Sequence, residues 1–72
     1  MKRITVGDVV LIEGSDGEHI VAEIVWRDGD VCVATNRSAW HDEKECTLVR
    51  EADGDSFYQL KKDLAEEDEE WL

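Results

Sequence analysis

The chain has no proline, two cysteines and only eight basic residues in 72. Without proline there is no proline-rich linker or recognition segment. The two cysteines, Cys32 and Cys46, form no C-x-x-C pair, which excludes a redox motif and argues against a disulfide scaffold. Each lies within an apolar run and reads as a small buried hydrophobe. No apolar run approaches the roughly 18 residues of a membrane span. Met1-Lys2-Arg3-Ile4 starts no signal peptide, because Asp8 interrupts before an apolar segment can develop. The compartment expected from these absences is the cytoplasm. The shortage of bases is the most informative absence. Against 19 acids they leave a net charge of −11. Such a chain lacks the cationic face that DNA or RNA phosphates require, and it is repelled by anionic lipid. The expected partner is a basic protein or a nucleic-acid-binding protein, with no direct contact to nucleic acid or membrane.

What is present suffices for one small domain with a thin core; a chain of this size buries only about 60% of its unfolded surface. Charge and periodicity both change near residue 51. Residues 1–50 carry ten acids and six bases, whereas residues 51–72 carry nine acids and two bases. Ala52-Asp53-Gly54-Asp55 punctuates the two parts.

The first part reads as strands. Residues 8–13 form a β-rich run with apolar side chains on both faces. Ser15-Asp16-Gly17 supplies a turn. From His19 to Arg27 the pattern alternates, with Ile20, Ala22, Ile24 and Trp26 on one face. Asp28-Gly29-Asp30 is a second turn, of the kind that favours tight hairpins. Residues 31–35 and 45–50 complete the strands, with residues 37–44 as a looser segment between them. Ile4-Thr5-Val6 adds a short leading piece.

The second part reads as a helix. Ser56 serves as N-cap with Gln59 three residues on, a capping-box pattern. Phe57, Leu60, Leu64 and Trp71 fall within about 60° on a helical wheel and form one apolar stripe. The stripe is expected to cover one open end of the strand-built barrel.

Val6-Gly7-Asp8, Asp16-Gly17, Ile20-Val21-Ala22-Glu23-Ile24, Asp28-Gly29-Asp30 and Val31-Cys32-Val33 together resemble a small SH3-like barrel of the Tudor or KOW type, over about residues 5–50. The resemblance implies a mainly β fold: a small SH3-like antiparallel barrel over 1–50, then a linker and an acidic amphipathic helix over 51–72, packed on the barrel as one domain. Tudor-type domains read methylated side chains with an aromatic cage. The corresponding places here hold Glu13 or Gly14, Ile20, and Thr35 or Asn36, so the ring faces that cation–π capture needs are missing. KOW-type barrels meet RNA or basic proteins with cationic loops, and the loops here are acidic.

His19, Cys32, His41 and Cys46 comprise the residue types of a structural zinc site, but lack its close paired spacing. A Cys–His nucleophilic pair could be drawn from the same set; nothing in the sequence marks an oxyanion hole, and no glycine loop could cradle phosphate. The expectation is a non-enzyme without metal or cofactor.

Two segments are candidates for partner binding. Trp40, His41, Asp42 and Glu43 place a large ring in a polar segment. Glu66, Glu67, Glu69, Glu70 and Trp71 set acids at the C-terminal end of a helix, where the macrodipole disfavours them. Two readings follow: a non-catalytic module that binds a basic protein surface, or an acidic DNA mimic that blocks the nucleic-acid site of an enzyme, as phage or mobile-element proteins do.

Overall fold

A computed structural model describes residues 3–37 and 39–69, with side chains described through Ala65. Five strands are followed by one helix: β1 (Val9–Ile12), β2 (Glu18–Arg27), β3 (Asp30–Thr35), β4 (Trp40–Asp42), β5 (Cys46–Arg50) and α1 (Gly54–Glu69). A 3-10 turn, Glu43–Glu45, joins β4 to β5. The fold is mainly β, as expected. All pairings are antiparallel, in the order β4-β3-β2-β1-β5. Among the described residues no helix is long and apolar enough to cross a membrane.

The turn chemistry sets the meander. Asp28 and Gly29 both adopt positive φ, 51° and 85°, and Arg27 pairs with Asp30 across them. Two consecutive positive-φ residues match the right-handed twist of the flanking strands.

β2 departs from the clean alternation of its sequence. Val21 pairs with Thr35 while Glu23 pairs with Ala34, so Ala22 is an extra residue in a bulge. The bulge divides the strand. Its first part pairs with β1 and its second with β3. Ile20 and Ala22 therefore join one apolar cluster, and Val21 and Ile24 another.

The main core consists of Ile4, Val10, Ile12, Val21 and Val33, with Ile24 and Cys46 packed against it. Ile4 is a core residue although no strand forms at 4–6. The closed barrel expected from the turn pattern is not what the chain forms. The sheet stops at β4 on one side and β5 on the other, and among the described residues no ladder joins them. Three-residue β4 is too short to bridge the gap, and it lies within what the sequence offers only as a loose segment.

The helix also differs from its expected placement. Instead of plugging an end, it packs through Leu60 on Val9, Ile20 and Ala22. Val9 neighbours Val10 in β1, so this second cluster lies on the face opposite the main core. The N-cap is Asp53, not Ser56. Asp53 Oδ1 accepts from Ser56 N at 2.8 Å, and Asp53 N donates to Ser56 Oγ at 2.9 Å. The reciprocal box expected of Ser56 and Gln59 thus forms three residues earlier, because the short Asp53 side chain reaches the amide and the hydroxyl returns the bond. The inward face also differs from the expected stripe. Ser56 and Leu60 are buried, whereas Leu64 is 39% exposed and Phe57 is exposed. Trp71 of the expected stripe lies outside the described residues.

Two polar clasps tie the helix to the sheet. The Asp8 carboxylate accepts from Thr5 N at 2.9 Å and from Ala52 N at 2.7 Å, joining the first turn to the segment before α1. Asn36 Oδ1 accepts from Ile20 N, and its Nδ2 donates to Asp63 Oδ2 at 2.8 Å. Gly7 completes the seat. Its φ is +93°, and a Cβ there would lie 2.6 Å from the Phe57 ring, so the absent side chain is the space the ring occupies.

Candidate functional site

The segment singled out at residues 40–43 does not act as one cluster, because a strand sends successive side chains to opposite faces. Trp40 pairs with Ala34 and Asp42 with Cys32. Cys32 and Ala34 alternate with Val31, Val33 and Thr35, which are buried, so Trp40 and Asp42 lie on the outer face. Ala34 and Cys32 pair in turn with Glu23 and Val25. Two rows thus cross the sheet, Glu23–Ala34–Trp40 and Val25–Cys32–Asp42. The small residues in the middle leave a shallow depression of about 330 Å³ lined by Val25, Arg27, Cys32 and Trp40. Trp40 is 55% exposed on this face. Asp42 Oδ1 accepts from Lys44 N at 2.9 Å and thereby caps the 3-10 turn.

His41 points the other way and meets His19, ring centroids 5.9 Å apart in an edge-on arrangement. His19 is 2% exposed. Its Nε2 is 2.9 Å from Ser15 Oγ and its Nδ1 3.0 Å from Thr35 Oγ1. Thr35 Oγ1 already accepts from Arg37 N at 3.2 Å. Both ring nitrogens of His19 are thus engaged by hydroxyls, each of which can donate or accept. His41 Nδ1 lies 3.9 Å from Glu45 Oε2, while its buried Nε2 has no partner. Of the four residues with zinc-site chemistry, the two histidines come together. Cys32 is on the outer face and Cys46 packs against the main core. Both thiols are free. Burial, then the nearby Glu43, Glu45 and Asp42 carboxylates, push the Cys46 thiol up. Among the described residues no three metal-ligating side chains are grouped.

Burial, then the charge of Arg37, then His41, hold His19 below the ordinary 6.5. A base whose folded pKa is depressed binds its proton more readily in the unfolded chain. Its contribution to stability is therefore complete above about pH 6.5 and is lost as pH falls through the folded value. Asp53 is shifted the same way, mainly by the Ser56 amide, below the ordinary 3.8. That carboxylate stabilises above about pH 3.8 and ceases to do so as pH falls through its folded value. The thermal midpoint is expected to drop as pH falls below about 6.5. His19→Gln is expected to remove that drop. Parallel midpoint-against-pH curves for the two proteins would contradict this assignment.

Glu43 sits on the 3-10 turn, half-buried, at the open side of the sheet. There a groove of about 560 Å³ is lined by Arg3, Ile4, Glu43, Lys44, Cys46, Thr47 and Leu48. The Oε2 of Glu43 is buried without a hydrogen-bond partner. Of the acidic segment, Glu66, Glu67 and Glu69 fall in the last turns of α1, but their side chains, like Glu70 and Trp71, lie outside the described residues. Trp26 is a rim residue with Arg3 stacked 4.0 Å over its ring, which accounts for its exposure without a ligand.

Sequence reasoning singled out Trp40 and Glu43 and missed their surroundings. Glu23 and Val25 were legible only as strand residues, since β4 itself was not. Comparison with family models, curated proteins and solved structures finds no match.

Proposed function

We propose that this chain is a non-catalytic interaction module of the cytoplasm that binds a basic protein surface through its acidic face. The observation that carries the reading is Trp40: half of a large ring exposed on the outer face of a sheet that also bears Asp42, Glu23 and, lining the same depression, Arg27, in a chain of net charge −11. Exposed tryptophan is the residue type most enriched at binding hot spots, and a strongly negative field draws a cationic partner. The antiparallel meander with its bulged second strand supports an SH3-like arrangement as the scaffold. The Ser–His pair among the described residues, Ser15 and His19, has both ring nitrogens engaged by hydroxyls inside the fold, which fits a structural role.

The DNA-mimic reading draws on a different observation. α1 continues through Glu69, so the acids at 66, 67 and 69 share a regular helical backbone that could space carboxylates like phosphates.

The test is retention of host-lysate proteins on the immobilised chain at rising salt. Basic proteins are expected to be retained at low salt and released as it rises, because the Debye length shrinks from about 30 Å at 0.01 M to about 10 Å at 0.1 M. Trp40→Ala should weaken retention at every salt concentration. Changing Glu66, Glu67, Glu69 and Glu70 together to Gln should weaken it most at low salt, while slightly stabilising the fold by relieving an unfavourable helix-end charge. Displacement of the retained protein by duplex DNA would favour the mimic. Retention that ignores both salt and Trp40 would end the proposal.

A further inference from the structure

The open side of the sheet has features that the outer face around Trp40 does not explain. β5 pairs with β1 along one side only, and among the described residues nothing forms a ladder with the other. A free edge presents a row of unpaired N–H and C=O groups, which natural proteins commonly blunt with proline, lysine or a covering element. β5, Cys46-Thr47-Leu48-Val49-Arg50, contains neither proline nor lysine; its register shifts at Val49, which leaves Cys46, Thr47 and Leu48 as the regular stretch of the edge. The core also shows through the gap. Leu48 lies opposite the fully buried Val10, yet it is 36% exposed. With Ile4 and Cys46 it provides the apolar floor of the 560 Å³ groove. One acceptor in that groove's wall is unused, the buried Oε2 of Glu43. A buried carboxylate oxygen without a donor is costly, and a donor arriving with a ligand would relieve that cost.

Resting on the reading of the chain as a binder of basic partners, we infer that the partner contributes an extended segment that adds as a strand to the free edge of β5. An apolar side chain of that segment covers Ile4 and Leu48, and a cationic side chain or amide donates to Glu43 Oε2. Strand addition supplies main-chain hydrogen bonds for affinity and alternate side-chain contacts for specificity. A second copy of the chain is the poorer occupant, since two surfaces each carrying −11 repel. The cations at the groove do not reverse this preference. Arg3 and Lys44 both line the groove beside Glu43, so the attraction for a basic segment comes from the charge of the whole chain and from the unmet Glu43 oxygen, not from a locally acidic groove. Alternating apolar and basic residues are the pattern that fits.

The test uses the full chain and a hexapeptide probe, acetyl-Arg-Val-Arg-Val-Arg-Val-amide. Two analogues of it are methylated on backbone nitrogen, one at the odd residues and one at the even. A strand added to one edge uses the amides of one parity. One analogue should therefore bind about tenfold or more weakly and the other should match the parent. The parent should slow hydrogen exchange of β5 amides, and Glu43→Gln should weaken binding severalfold with the fold intact. If all three peptides bind equally, or protection falls on β3 and β4 beneath Trp40 and not on β5, the strand-addition inference is overturned and the acidic-face reading survives. If none binds even at 0.01 M salt, both fall.

Discussion

Leu60→Ala is expected to destabilise the domain by about 2–4 kcal/mol, against about 1 kcal/mol or less for Leu64→Ala. Leu60 is the helix's buried apolar residue. It fills the space between Val9, Ile20 and Ala22, and nothing else described from the helix joins that cluster. Deleting it removes the transfer free energy of the side chain and leaves a cavity that the strands, held by their ladders, cannot collapse into. Leu64, one turn on, is already partly in water, so its truncation forfeits little. A domain of this size has on the order of 5 kcal/mol in total, so Leu60→Ala should be substantially unfolded on mild warming. Urea midpoints of the two variants check this. Equal costs at the two positions would mean that the helix is turned toward the stripe its sequence suggests.

Asp8→Ala is the second large effect, about 2–4 kcal/mol. The Asp8 side chain is buried, and its two oxygens accept from Thr5 N, Thr5 Oγ1 and Ala52 N. Alanine would leave two backbone donors unmet in a part-buried site, at about 1–3 kcal/mol each before relaxation. It would also unfasten the segment that leads into α1. Asp8→Asn keeps one acceptor but sets its NH2 against the other backbone N–H, so it should recover only part of the loss. If Asp8→Asn is as stable as the parent chain, acceptance by both carboxylate oxygens is not what the site requires.

Much of the architecture was legible because it depends on local chemistry. The Asp28-Gly29 hairpin, the four strand runs that became β1, β2, β3 and β5, and the existence of one helix after residue 53 follow from turn residues and period alone. The misreadings share a different cause. The bulge at Ala22 depends on how β2 must divide between two neighbours, so a strictly alternating run conceals it. β4 is three residues long and owes its strand to the neighbouring β3. The cap moved from Ser56 to Asp53 because both offer a short acceptor, and tertiary seating of Leu60 and Asp63 selects between them. Barrel closure depends on whether two distant edges meet, which no window of sequence contains. Of the candidate site, Trp40 was visible as a large ring in a polar segment. The inward turn of His41 toward His19, and the unmet Glu43 oxygen, needed the strand's two faces to be known.

The central claim, that Trp40 on an acidic sheet face receives a cationic partner, is most directly tested by an NMR titration of the isotopically labelled chain with octa-arginine at 0.01 M and 0.1 M salt. The account predicts saturable shifts of the Trp40 indole N–H and of the amides of Ala34 and Asp42. It also predicts an affinity that falls steeply between the two salt concentrations. A Trp40 indole signal that stays in place at 0.01 M salt, with shifts elsewhere or none, would contradict it.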